Sequence, residues 1–94
     1  MSRVFVAHSV QDYDQWKVAY DADTERRKGL GLTEVAHYRK ASDPNHFLIV
    51  WDSALSPADT RAVVSGMFSD PELIELMRAG GVFVEEIKYW FADD

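Results

Sequence analysis

The sequence contains no cysteine, and this absence removes several kinds of site at once. Without thiols the chain forms no disulfide framework, no thiolate metal site and no cysteine nucleophile. Long apolar runs are also missing, since none approaches the ~20 residues needed to cross a bilayer. The first residues, Met1-Ser2-Arg3, lead directly into a strand-like segment and lack the pattern of a secretory signal peptide. We therefore expect a cytoplasmic protein with no membrane partner.

Positive charge is scarce as well. Ten basic residues stand against sixteen acidic ones and give a formal charge of −6. This balance repels a phosphate backbone, so we expect no nucleic-acid partner. The sequence also lacks a glycine-rich phosphate loop and a nucleophile elbow. Its three histidines, His8, His37 and His46, have none of the spacings typical of zinc or iron ligands, so we expect neither a metal nor a cofactor.

What the chain does have is the composition of a small folded protein. Its 94 residues are 47% hydrophobic and 28% charged, which predicts one globular domain over residues 1–94. Hydrophobic periodicity then predicts the order of the elements. They are a strand at 3–9, a helix over about 12–28, a strand at 32–41, a turn at 42–45, a strand at 46–52, helical segments that begin near 56 and 69, and a strand at 82–91.

Local signals support the helix boundaries. Asp12 precedes the first helix as an N-cap, and glycines at 29 and 31 end it after a basic cluster at 26–28. The segments 56–59 and 69–72 each combine a capping residue, a proline and an acid, as helix starts do. Alternation along 32–41 predicts two faces, with Thr33, Val35, His37 and Arg39 on one and Glu34, Ala36, Tyr38 and Lys40 on the other.

The order β-α-β-β-α-β is that of the ferredoxin-like fold of the α+β class. In this fold the first and third strands lie at the centre of a four-stranded antiparallel sheet, and here those two strands are the most apolar. The helices cover only one face of such a sheet, yet the central strands are apolar on both faces. We therefore expect a homodimer in which two sheets pack through their uncovered faces. A ligand or another protein on that face is the alternative.

Several short motifs resemble one family along almost the whole chain. The motifs are Val6-Ala7-His8-Ser9, the run 12–17 with Trp16, Asp43-Pro44-Asn45, Trp51, and the run 69–73 followed by Met77, Ala79 and Gly80-Gly81-Val82. On these residues the chain resembles the antibiotic biosynthesis monooxygenase-like proteins of the dimeric α+β barrel superfamily. Many of these proteins carry only provisional names as cyclases, or have no assigned function.

This resemblance implies a dimer with a pocket between helices and sheet in each subunit. Active relatives use that pocket for cofactor-free oxygenation, for ring closure or isomerisation of aromatic polyketide-like compounds, or for haem breakdown. The sequence departs from two of these groups. The segment 57–67 contains neither the tryptophan nor the asparagine of the oxygenases, and all three histidines fall on predicted strands rather than on the second helical region that binds haem iron. Neither activity therefore carries over residue by residue.

The candidate catalytic residue is His8, whose imidazole titrates near neutral pH and can act as a general base or orient a phenol. Tyr13, Trp16 and Tyr20 share one helix face and can form an aromatic wall for a planar ligand. Trp51 and Met67 complete the predicted substrate-binding set. The alternatives are structural: a hydrogen-bonded strand histidine, an aromatic core stripe, a dimer contact for Trp51, and core packing for Met67.

Two further groups have simpler interpretations. His37 and His46 flank the predicted turn and are expected at the surface or the dimer interface. The basic run 26–28 suits a helix C-terminus, with anion binding as the alternative. The sequence thus predicts a dimer that binds a small aromatic or apolar molecule and oxygenates, cyclises or isomerises it. The competing hypotheses are a non-catalytic binding or structural dimer, and haem binding through His8.

Overall fold

The computed structural model describes residues 2–93, which form one four-stranded antiparallel sheet with four α-helices. The elements are β1 (Ser2–Ser9), α1 (Tyr13–Ala22), α2 (Thr24–Gly29), β2 (Leu32–Lys40), β3 (Asp43–Ser53), α3 (Pro57–Met67), α4 (Pro71–Ala79) and β4 (Lys88–Asp93), with a short 3₁₀ helix at Val84–Glu86. The strand order is β2-β3-β1-β4. The ferredoxin-like fold and the central position of the first and third strands are confirmed. None of the helices within residues 2–93 is long and apolar enough to span a membrane.

The helices pack on one face of the sheet. On that face Val4 pairs with Trp51, Val6 with Ile49 and His8 with Phe47 across the β1–β3 ladder. Antiparallel partners point to the same side, so these pairs form a continuous apolar layer. Val64 and Met67 of α3, together with Trp16 of α1, close the core above them.

The opposite face of the sheet is also apolar, but it lies open. It carries Phe5, Ala7, Ala36, Tyr38, Leu48, Val50 and Trp90, as the strand registers show. Tyr38 is 64% exposed and Trp90 is 48% exposed. The rings of Phe5 and Trp90 stack at 5.5 Å with an angle of 3° between their planes.

The helix caps predicted at Asp12 and Ser56 are confirmed, whereas the cap of the segment 69–72 is its second residue rather than its first. Asp12 accepts a hydrogen bond from the backbone N–H of Asp14, and Ser56 accepts one from that of Asp59. Asp70 caps α4 through the N–H of Glu72. These side chains satisfy amides that the first turn of a helix leaves without partners.

The single helix predicted over 12–28 is wrong, because the chain divides at Asp23 into α1 and α2. At this break two side chains donate hydrogen bonds to carbonyls in the last turn of α1. The guanidinium of Arg27 donates to the carbonyl of Tyr20 at 2.8 Å, and the hydroxyl of Thr24 donates to the carbonyl of Asp21 at 2.7 Å. The last carbonyls of α1 are therefore satisfied without a continuous helix.

The predicted faces of β2 are also wrong at one end. A bulge between Glu34 and Ala36 adds one residue to the strand, so Glu34 lies opposite Trp51 while His37 lies opposite Ile49. Both residues thus lie on the helix-covered face, because a bulge shifts the alternation by one position. The turn is likewise shorter than predicted. Lys40 pairs with Asp43, and residues 43–45 belong to β3 rather than to a loop.

The last predicted strand, 82–91, is wrong in its first half. Val82 forms an isolated bridge with Val10, a 3₁₀ turn follows at Val84–Glu86, and only then does β4 begin. Val84 and Ile87 both pack against the core. Their spacing of three matches the repeat of a 3₁₀ turn, whereas a strand would place them on opposite faces.

Candidate functional site

A cavity of about 510 Å³ lies between the helices and the covered face of the sheet. Five of the six residues predicted for the site line it: His8, Trp16, Tyr20, Trp51 and Met67. Its walls are otherwise largely aliphatic, with leucine and methionine side chains from α4 opposite the aromatic residues. A volume of this size is typical of pockets that hold one small organic molecule.

The aromatic wall is built from rings in mutual contact. The ring centroids of Trp16 and Tyr20 lie 4.6 Å apart with nearly parallel planes, and Trp16 also contacts Phe47 at 4.3 Å. The imidazole of His8 stacks on Phe47 at 5.4 Å and lies 5.8 Å from Trp16. Each of these rings restrains the next, so the wall presents a rigid aromatic surface.

His8 is the ionisable group deepest in this wall. It is 5% exposed, and its Nδ1 atom has no hydrogen-bond partner within residues 2–93. Burial, with the neighbouring His37 as a smaller cause, lowers the pKa of His8 to about 4. The imidazole is therefore neutral at neutral pH, with one nitrogen that donates a hydrogen bond and one that accepts.

Tyr13, the sixth predicted residue, is not among the residues that line the cavity. Its ring packs behind the wall, with a centroid 5.7 Å from that of Trp16. The Tyr13 hydroxyl lies 3.1 Å from Nε2 of His37, and the guanidinium of Arg39 lies 3.7 Å above the ring centre. Tyr13 thus supports the wall from outside, and a direct contact with substrate stays a prediction.

A chain of hydrogen bonds holds the polar edge of the wall. Nε1 of Trp51 donates to the hydroxyl of Tyr20 at 2.9 Å, and this hydroxyl donates to Oε1 of Glu34 at 3.0 Å. The same carboxylate oxygen lies 3.0 Å from Nδ1 of His37. Because an ionised carboxylate only accepts, this contact fits the His37 tautomer that is protonated on Nδ1. Burial raises the pKa of Tyr20, which keeps its phenol neutral.

Glu34 and the role of His37 in these hydrogen bonds were not predicted from the sequence. Strict alternation had placed Glu34 on the opposite face, and only the bulge in β2 brings the two residues together. Glu34 and His37 lie three positions apart in a predicted strand, a spacing that does not join side chains in a regular sheet. A signal for the bulge is absent from the local sequence, which has no glycine at that position.

A charged group at one end of the cavity was also missed as part of the site. Asp23, Arg26 and Arg27 line the cavity where α1 meets α2. Arg26 makes three hydrogen bonds of 2.6–2.9 Å to the carboxylate of Asp23, and these lower the pKa of Asp23. Arg27 is 7% exposed, and its guanidinium lies 3.6 Å above the ring centre of Tyr20.

Groupings of three or more histidine, aspartate or glutamate side chains suited to a metal ion are not found in residues 2–93. His8 and His37 both contact Trp16 and Phe47, but the polar surroundings of the three histidines differ. His8 lines the cavity, His37 bonds to Glu34, and Nδ1 of His46 lies 3.0 Å from the hydroxyl of Ser9.

Solved structures share this arrangement of elements. The chain superposes on the "Putative antibiotic biosynthesis monooxygenase from Nitrosomonas europaea" with a TM-score of 0.61, over 100% of this chain and 98% of that one, at 17% identity. It has the same fold. A protein of the same description from Deinococcus radiodurans gives a TM-score of 0.59, with 100% and 92% covered, at 13% identity.

A third similar structure is described as a dimeric ferredoxin-like protein from an uncultured marine organism. Its TM-score is 0.52 at 11% identity, over 97% of this chain and 90% of that one. No family model matches the sequence, and no curated protein matches it significantly. These similarities confirm the fold that the sequence resemblance implied, and at such identities they establish the fold alone.

Proposed function

We propose that the protein is a homodimer that binds a planar aromatic molecule in each cavity and oxygenates, cyclises or isomerises it without a metal or a flavin. The observation that carries this proposal is the cavity of about 510 Å³, which joins a rigid aromatic wall to one neutral histidine. Fold neighbours described as antibiotic biosynthesis monooxygenases support the oxygenase form.

Binding follows from the shape and composition of the wall. Trp16 and Tyr20 present stacked rings, and Trp51 is held against Tyr20 by its indole N–H. Aromatic contacts contribute about 0.5–1.5 kcal/mol each beyond the area that they bury. Since the hydrogen bonds already fix Tyr20 and Trp51, a ligand loses little free energy in ordering the wall.

The chemistry proposed for His8 is hydrogen bonding to a phenol or enol of the substrate. A neutral imidazole accepts that proton as negative charge develops on the phenol oxygen and its ring, and an electron-rich phenolate reacts directly with dioxygen. In a phenol-to-quinone conversion the substrate loses two hydrogens and gains one oxygen atom, while the second oxygen atom leaves as water. A pKa of about 4 makes His8 a weak base, so orientation of the phenol is its main contribution.

The dimer is proposed to form through the open face of the sheet. Phe5, Tyr38 and Trp90 provide large apolar side chains there, and Tyr38 and Trp90 are exposed in the single chain. Patches of this kind mark interfaces in soluble proteins. A fold neighbour described as dimeric is consistent with this assembly. The cytoplasmic location stays a prediction from the sequence.

The test is a titration of the purified protein with planar phenols, naphthols and quinols, followed by tryptophan fluorescence and by oxygen consumption. We expect quenching, because Trp16 and Trp51 line the cavity, and oxygen uptake with at least one electron-rich phenol. Trp16→Phe is expected to reduce the quenching and to leave the part that comes from Trp51. Absence of binding across the whole series would contradict the proposal.

The second candidate function is a non-catalytic binding protein with the same cavity. The low pKa of His8 favours it, since efficient proton transfer needs a group that titrates near the working pH. Recovery of every bound compound unchanged, under oxygen and over many binding lifetimes, would select this candidate over the enzyme.

A further inference from the structure

We propose that the ligand of this cavity is an aromatic carboxylic acid whose carboxylate binds to Arg27. This inference rests on the proposed function, because it concerns the same cavity, and it adds the chemical class of the ligand. The first observation is the position of the arginine. Arg27 lines the cavity, and the residue is 7% exposed.

The second observation is that the charge of Arg27 has no full partner in residues 2–93. The nearest carboxylate belongs to Asp23, whose Oδ2 lies 4.0 Å from Nη1 of Arg27. That carboxylate already accepts three hydrogen bonds from Arg26. Among the residues that line the cavity, two carry guanidinium ions and one carries a carboxylate. Asp70, which does not line the cavity, acts on Arg26 and leaves Arg27 with Asp23 alone within residues 2–93.

The third observation concerns the donors of the guanidinium. Nη2 of Arg27 donates to the carbonyl of Tyr20 at 2.8 Å and to the hydroxyl of Thr24 at 3.2 Å. Nε and Nη1 make no hydrogen bond within residues 2–93. Nε and Nη1 lie on different edges of the guanidinium, so each can give a single charge-assisted hydrogen bond to a carboxylate oxygen.

Burial of this arginine has an energetic cost that a ligand can offset. Arginine stays protonated in proteins, and a buried charge that is only loosely paired, as Arg27 is with Asp23 at 4.0 Å, is unfavourable. The ring of Tyr20, 3.6 Å from the guanidinium carbon, compensates only part of that cost through a cation–π contact. An anion in the cavity would supply the rest.

The order of the rings along the wall indicates where each end of the ligand would lie. Starting from Arg27, the wall continues through Tyr20 and Trp16 to His8, each ring in contact with the next. Two aromatic rings thus separate the guanidinium from the imidazole. A ligand with its carboxylate at Arg27 lays its aromatic body along Tyr20 and Trp16 and presents its hydroxyl or keto group towards His8.

The experiment compares 2-naphthoate with its neutral isostere 2-naphthamide by isothermal titration calorimetry at pH 7.5. We expect wild-type protein to bind the carboxylate at least ~10-fold more tightly, as hydrogen bonds to charged groups usually give. In Arg27→Met this preference is expected to vanish. Lys28→Met is the matched control, because it removes the same charge at the adjacent position, and Lys28 does not line the cavity.

The outcomes separate the two proposals. Equal affinity for both probes in the wild type, unchanged by Arg27→Met, would overturn the carboxylate inference and leave the binding function intact. Failure of both probes to bind the wild type would overturn the carboxylate inference, and the proposed function would fall with it only if the series of phenols, naphthols and quinols also failed to bind. If Arg27→Met does not fold, Arg27→Gln serves instead, since it removes the charge and keeps a donor for the Tyr20 carbonyl. The wild-type comparison needs no variant.

Discussion

The indole of Trp51 donates a hydrogen bond of 2.9 Å to the hydroxyl of Tyr20, and this bond joins the central strand β3 to helix α1 across the cavity wall. The Trp51 N–H has no other acceptor within residues 2–93. Trp51 is buried with a single N–H donor, and the Tyr20 hydroxyl needs Glu34 as its acceptor.

Tyr20→Phe tests this relationship directly. The change leaves the Trp51 N–H buried without an acceptor, so we expect the free energy of unfolding to fall by about 1–3 kcal/mol in urea denaturation. Tyr89→Phe is the control, because the Tyr89 hydroxyl makes no hydrogen bond within residues 2–93, and its effect should stay within about 0.5 kcal/mol. Similar losses in both variants would contradict the role assigned to the bond.

The stability of the protein should depend on pH through His8. Its pKa is about 4 in the folded state and about 6.5 in the unfolded chain, so the unfolded state binds the proton first as pH falls. Stability is fully present above pH 6.5 and is lost towards pH 4, by roughly 3 kcal/mol.

His8→Gln should flatten the stability profile over this window, while His46→Gln, at an exposed position, should keep its slope. The carboxylates of Asp23, Glu85 and Asp93 have lowered pKa values and lose their contributions at more acidic pH. An unchanged slope in His8→Gln would mean that His8 is solvated in solution.

Turnover, once a substrate is found, should depend on the His8 imidazole. His8→Ala is expected to lower kcat by up to ~100-fold through loss of the hydrogen bond that orients the phenol, with the dimer intact by light scattering. His8→Gln keeps a hydrogen-bonding side chain and separates orientation of the phenol from proton removal. His46→Ala is the control outside the cavity. Full activity in His8→Ala would remove this residue from the mechanism.

We expect two chains to form a dimer through the open face of the sheet. Wild-type protein should have twice the 10.7 kDa mass of the chain by light scattering, and the interface should bury about 1,600 Å² or more. Tyr38→Glu and Trp90→Glu place charge on this face and should give monomers. Val18→Glu makes the same kind of change on the exposed side of α1 and should leave the dimer intact. A monomeric wild type would refute the proposed assembly.

The sequence predicted the features that local chemistry determines. Capping by Asp12 and Ser56 depends on side-chain oxygens next to free amides, and β1 and β3 belong at the sheet centre because they are apolar on both faces. The break at Asp23 and the bulge before Ala36 were not predictable, because long-range packing decides them.

The residues of the predicted site divide in the same way, into those that a local pattern identifies and those that long-range packing brings in. His8, Trp16 and Tyr20 follow from strand position and helical spacing. Glu34 and Arg27 enter the site only through the bulge and the helix break, so no local pattern could assign them. Those same irregularities supply the charged and hydrogen-bonding groups of the cavity.

The bulge in β2 has a further consequence at the edge of the sheet. An open edge strand exposes unpaired amides and carbonyls that can template the addition of a strand from another molecule. β2 is interrupted between Glu34 and Ala36 and again between Arg39 and Lys40, so a foreign strand cannot follow it in one register. At the other edge, the 3₁₀ turn restricts β4 to six residues, and the strand begins with a charged lysine. Both edges thus resist the uncontrolled growth of intermolecular sheets, the route by which small β-rich proteins form fibrils.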